Sequence, residues 1–217
     1  MRLALLSDIH ANLRALEACL AHARAQGATR IALLGDLVGY GAEPGAVVDL
    51  AMSLAQSGAT VLQGNHDVLA VTGMEGALAR TNAEVGADWT HEHLTPAQRE
   101  FLDTLPLTER LGSLLMVHAT ADTPHAWHYV TGAEQARRSL VAACAIPGVR
   151  HVVGGHVHDQ KLWFEGRHGD LMPFAPTSGA PIPLAARRPW LATIGSVGQP
   201  RDGDPRAGYA LWEDGED

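Results

Sequence analysis

Short apolar runs alternate with amphipathic stretches through the first two-thirds of the chain, and this alternation restricts the fold more than any other feature. Residues 2–6, 30–34 and 60–62 are predicted strands. Between them, residues 12–26 and 45–56 are predicted helices, the first with Asn12 as N-cap and Gly27 as its stop. A βαβαβ order calls for a parallel sheet with helices on its faces. A helical segment occupies about 73–105 and restarts at Thr95-Pro96-Ala97-Gln98, a capping box with Pro at the first helical position. Residues 114–117 and 151–153 are further apolar strands around a helix over 133–145. After His158 the texture changes: 161–165, 170–174, 190–194 and 209–212 are short strands separated by Gly and Pro, which predicts hairpins, with a Pro-rich flap over 173–189. With no repeat and no linker, the expectation is one α/β domain over 1–217, built on two sheets.

Polar motifs stand where the predicted strands end: Asp8-Ile9-His10, Gly35-Asp36, Gly64-Asn65-His66-Asp67, His118, and Gly155-His156-Val157-His158. In a parallel sheet the carboxyl ends of the strands are where loops converge into sites. Polar groups there are hard to explain as core and easy to explain as one shared site. In extended backbone, residues i and i+2 face the same side, so Asp8 can join His10, and His156 can join His158, at one point. Histidine and carboxylate ligands together suit Zn, Fe or Mn. Asp36 is the natural bridge between two ions, one oxygen to each. Asn65 offers a neutral carbonyl, which leaves the ions electrophilic.

Composition narrows the class. With 46% hydrophobic and 18% charged residues, the chain has the balance of an ordinary globular protein. A formal charge of −8, from 16 basic and 24 acidic residues, argues against non-specific binding to nucleic acid or to anionic membranes. An anionic substrate remains compatible with it, because bound cations invert the local sign. No run is apolar for long enough to span a bilayer, and no signal-peptide pattern follows Met1. Cys19 and Cys144 lie beside alanines in helical stretches and are expected to be buried thiols, so a cytoplasmic location is expected.

Asp-x-His, Gly-Asp, Gly-Asn-His-Asp, a lone His and Gly-His-x-His, in that order, resemble the calcineurin-like metallophosphoesterase superfamily, in particular its small bacterial and archaeal diadenosine-tetraphosphatase-like and general phosphodiesterase-like members. The segment Gly195-Ser196-Val197-Gly198-Gln199-Pro200-Arg201-Asp202-Gly203 is similar to one such group. The resemblance implies a four-layer αββα sandwich. It implies one metal held by Asp8, His10, Asp36 and His158, and a second held by Asp36, Asn65, His118 and His156. It also implies His66 as a catalytic general acid or hydrogen-bond donor that binds no metal, with Asp67 helping to orient it. The implied reaction is hydrolysis of a phosphomonoester, phosphodiester or dinucleoside polyphosphate by a hydroxide activated between two metal ions. The implied substrate is a small molecule, with nucleotides among the candidates. Two alternatives share the fold: a serine/threonine protein phosphatase and a non-catalytic scaffold. His118-Ala119-Thr120 departs from the His-Gly-Ser pattern of relatives, which affects the substrate wall and not the ligand.

Other residues carry weaker signals. Arg201 and Arg206 are candidate phosphate clamps, against the alternative that Asp202 and Asp204 pair with them. His125 and His128 lie in the loop after His118, where substrate contact is a candidate role. Trp127 and Tyr129 are candidate nucleobase contacts, whereas Trp163, Trp190 and Trp212 are expected in the core. His22, His151 and His168 are expected at the surface or at strand ends, His91 and His93 at the surface or as caps, and Arg187 and Arg188 in solvent.

Overall fold

The computed structural model describes residues 1–73, 81–185 and 188–213. Arg187 and residues 74–80 of the predicted helical segment lie outside them. The chain runs β1 (Arg2–Leu6), α1 (Leu13–Ala25), β2 (Arg30–Leu33), α2 (Pro44–Gln56), β3 (Thr60–Val61), α3 (Asn65–Thr72), α4 (Asn82–His93) and α5 (Pro96–Asp103). It continues through β4 (Thr108–Leu111), β5 (Leu114–Val117), α6 (Ala133–Cys144), β6 (His151–Gly154), β7 (Gln160–Glu165), β8 (Leu171–Phe174), β9 (Trp190–Ile194) and β10 (Ala210–Glu213). The cap signals act as expected: Asn12 Oδ1 accepts from the Ala15 amide at 3.1 Å, and Thr95 and Gln98 form a reciprocal capping box.

Two mixed sheets result. The first has the order β10-β1-β2-β3, with β1, β2 and β3 parallel and β10 antiparallel. The second has the order β4-β5-β6-β9-β7-β8, parallel through β5, β6 and β9. The two-residue period of the strands sets the layers. Leu3 and Leu5 of β1 meet Leu114 and Met116 of β5 between the sheets, while Ala4 and Leu6 turn outward to helices α1 and α2. On the far side, Leu115 and Val117 pack under Ala136, Leu140 and Ala143 of α6. This is the expected αββα sandwich. Met116 is 1% exposed in the inter-sheet layer. Met116→Ala is therefore expected to cost about 2–5 kcal/mol, lowering the melting midpoint by roughly 4–20 °C. Thermal unfolding followed by circular dichroism, in chelator, measures it.

Several expectations shift. Asn65, read as part of a strand-end motif, opens helix α3, and β4 has no counterpart in the sequence reading. Of the predicted flap, Pro173 and Phe174 belong to β8, and Ile182 and Leu184 pack against the inter-sheet core. Cys19 is buried but Cys144 is exposed, since it falls on the outer face of α6. His151 begins β6 as expected, but it is buried and stacked on Trp190 at 4.6 Å. No helix among the described residues is long and apolar enough to cross a membrane.

Candidate metal centre

The loops that leave β1, β2, β5 and β6 meet the N-terminus of α3 at one edge of the sandwich. Backbone bonds join them: the Asp8 amide donates to Gly35 O, His10 to Asp36 O, and Gly155 to His118 O. The ligand residues do not use extended backbone to converge. Asp8, His10, Asp36, His156 and His158 all have φ between 47° and 66°. In that left-handed region side chains other than glycine's are strained, so the i, i+2 geometry expected from the sequence is replaced by tight turns. The other described non-glycine residues with positive φ are Ala11, Tyr40 and Trp127, all beside the same site. Close backbone approach adds two glycine requirements. A Cβ on Gly64 would lie 2.3 Å from Asp36 Oδ1, and one on Gly155 would lie 2.3 Å from Asp8 Oδ2.

Two buried ligand sets form. Asp8, His10, Asp36 and His158 present atoms all within 4.8 Å of one another, and so do Asp36, His118 and His156. Asp36 belongs to both: Oδ2 is 3.7 Å from His10 Nε2 and 3.4 Å from His118 Nε2. His158 Nε2 lies 3.1 Å from both His10 Nε2 and Asp8 Oδ1. Backbone carbonyls fix which ring nitrogen faces inward. Val38 O, Leu34 O and Gln199 O sit 3.1, 2.8 and 2.5 Å from Nδ1 of His10, His118 and His158, so Nε2 is left for a cation. His156 is reversed, with Nε2 against Trp127 O at 2.8 Å, which leaves Nδ1.

The donor set fits metal on independent grounds. His118 Nε2 and Asn65 Oδ1 are buried with no hydrogen-bond partner among the described residues, and a bound cation would satisfy such groups. Burial pushes the Asp36 carboxyl up, but His118 and His10 beside it outweigh burial and hold it well below the usual carboxylate range. The Asp8 carboxyl is also held low, against burial, by His158 and His118. Burial opposes a charge on His118 too, yet Asp36 raises it to about 9, whereas burial lowers His10 and His156 to about 4. Two ionised, fully buried carboxylates thus draw positive charge into this cluster.

His66 stands next to the ligands without joining either set. Its ring is edge-on to His10 at 5.0 Å and 4.6 Å from the ring of Tyr40. Its Nδ1 is buried with no hydrogen-bond partner among the described residues, and its amide donates to Asp36 Oδ1 at 2.8 Å. Asp67, the next residue in α3, is bonded to backbone. Its carboxylate accepts from the amides of Leu37 (2.8 Å), Val38 (3.2 Å) and Gly64 (2.8 Å), which ties the Asp36 loop to α3. Burial, then Asp36, raises its carboxyl to about 7. The segment 195–201 is a brace: Ser196 Oγ and the Gly198 amide both donate to Asp8 O, and Gln199 O meets His158.

The weaker candidates separate. Arg201 lies over the Tyr40 ring, 5.8 Å from its centroid, and so reaches the His66 side of the site. Arg206 is paired with Asp204 instead, at the exposed end of the turn, so the ion-pair alternative holds there. His125 is exposed in a short 3-10 turn. Tyr40 was not singled out from the sequence, because a tyrosine between Gly39 and Gly41 has the pattern of a turn.

The calcineurin-like phosphoesterase superfamily domain matches residues 1–216. The chain belongs to that family. This calcineurin-like phosphoesterase is 33% identical to a metallophosphoesterase from Sphaerobacter thermophilus, with a TM-score of 0.78 over 98% of this chain and 84% of that one. It is 32% identical, over 98% of its length and 82% of the relative's, to an uncharacterized protein of Methanocaldococcus jannaschii. A serine/threonine phosphatase from Saccharomyces cerevisiae shares the fold, with 11% identity and a TM-score of 0.51 over 100% of this chain and 81% of that one. The phosphoesterase is a hydrolase of phosphoric esters, and its buried His/Asp groups support metal-dependent hydrolysis.

Proposed function

We propose that the phosphoesterase holds two transition-metal ions, Mn, Fe or Zn, and cleaves small-molecule phosphate esters in the cytoplasm. The carrying observation is the pair of buried ligand sets that share Asp36. Asp8, His10, Asp36 and His158 would hold the first ion. Asp36, Asn65, His118 and His156 would hold the second. Bound there, the ions supply Lewis-acid polarisation of the phosphate and neutralise charge on the departing oxygen.

The chain's own groups do the rest. Carbonyls of Val38, Leu34, Gln199 and Trp127 fix the four ligand rings, so little reorganisation is needed when substrate arrives. His66, beside the ligands and free of them, donates a hydrogen bond or proton to the leaving-group oxygen. Asp67 is a positioning residue, because its oxygens hold three backbone amides. Arg201, held over Tyr40, is the cation placed to receive a phosphate oxygen. Two free cysteines accord with a reducing compartment.

The test is elemental analysis of purified protein with turnover of a chromogenic diester and monoester. Chelation is expected to abolish turnover, and added Mn to restore it. Mn at about 100 times its Kd is expected to raise the melting midpoint by roughly 5–10 °C. A midpoint indifferent to Mn, with no turnover, would reject the metal centre.

A further inference from the structure

Beside the second ligand set lies a groove of about 320 Å³, lined by Asn65, Val68, Leu69, Trp127, Tyr129 and His156. None of the six is an acid, a lysine or an arginine. The aromatic wall is built directly on the ligand rings. Tyr129 is stacked on His156, with ring centroids 4.0 Å apart and planes 23° apart, yet it remains 50% exposed. Trp127 is edge-on to His118 at 5.8 Å, and its carbonyl is the group that fixes His156. Its φ of 53° places it in the left-handed region, a strained conformation. Backbone strain of this kind clusters at active sites and ligand clamps.

A second groove borders the first ligand set at His10. It contains Asn12, Tyr40, Glu43 and Gln199, and so carries a carboxylate where the other has none. The two share no residue.

We propose that the Trp127–Tyr129 groove is the subsite for a flat, uncharged ring carried by the substrate, a nucleobase or an aryl group. The inference rests on the metal-centre reading for where the phosphate sits. With the phosphate between the ligand sets, a substituent extending past Asn65 and His156 enters this groove. There Val68 and Leu69 offer apolar surface, and Tyr129 offers a π face. Stacking on such a face tolerates many ring identities, so Tyr129 and Trp127 set the class of substituent and not one particular base.

Phosphonates test this without turnover, because they contain no ester bond to cleave. Calorimetry on the Mn-loaded protein would compare phenylphosphonate and 5′-deoxyadenosine 5′-phosphonate with methylphosphonate. At least one ring-bearing compound is expected to bind roughly tenfold more tightly than methylphosphonate. Which one does so identifies an aryl or a nucleoside substituent. Tyr129→Leu is expected to remove that advantage while leaving methylphosphonate binding unchanged, and Trp127→Leu to reduce it. Equal binding of all three compounds, or an advantage that survives both substitutions, overturns the subsite. Failure of the hydrolase reading shows separately, as no metal-dependent turnover of any ester while the ring preference persists.

Discussion

His66→Ala is expected to lower kcat by about 10²- to 10⁴-fold while both metals stay bound, the range over which a positioned acid contributes. The metals are expected to stay because His66 belongs to neither ligand set. What His66 gives the cage is its backbone: its amide donates to Asp36 Oδ1 at 2.8 Å, and alanine keeps that amide. What the substitution removes is an imidazole packed against the rings of His10 and Tyr40, with Nδ1 against Gly39. The deficit is expected to depend on the leaving group. Esters of p-nitrophenol, which departs readily as an anion, should lose less than alkyl esters, whose oxygen needs the proton. Metal content and kcat across a leaving-group series are the measurements. Wild-type turnover on every ester would remove His66 from the chemistry. Loss of metal would make it a positioning residue.

What the sequence made legible was the set of side chains, not the backbone that gathers them. The candidate ligands and the shared Asp36 follow from motifs at strand ends, because a parallel sheet sends those ends to one edge, whereas their division into two sets is what the family resemblance implies. The left-handed turns at Asp8, His10, His156 and His158 were hidden, since no glycine stands there to signal positive φ. Those turns are imposed by bonds distant in sequence, such as the Gly198 amide to Asp8 O. The same distance explains why 195–201 looked like a marker of resemblance and not like the brace it is. Helix α3 escaped because its first residues, Asn65, His66 and Asp67, are the polar motif itself, with no apolar period to announce a helix. Arg206 and Arg201 are alike in sequence. Only the fold shows that one faces Asp204 and the other Tyr40.

Asp36→Asn is expected to cost more than His66→Ala, because it removes the one charge that both ligand sets share. The amide has the shape of the carboxylate, and its oxygen can still accept from the His66 amide. Its NH2 group, however, presents donors toward His10 and His118, where Oδ2 now lies 3.7 and 3.4 Å from their Nε2 atoms. A cation would there meet hydrogens instead of an anionic oxygen. Both metals are expected to fall to trace occupancy, with affinity reduced by more than about 100-fold, the upper end of what even outer-shell changes cause. Turnover should fall to background. Folding should survive at a cost, since the substitution removes the desolvation penalty of the carboxylate but also the charge that offsets it at His118 and His10. The chelated variant should therefore melt below chelated wild type, and only the wild type should gain from Mn. Retention of one ion by Asp36→Asn would mean that Asp8, His10 and His158 hold metal without the shared carboxylate. The bridge assigned to Asp36 would then be wrong, even with the hydrolase reading intact.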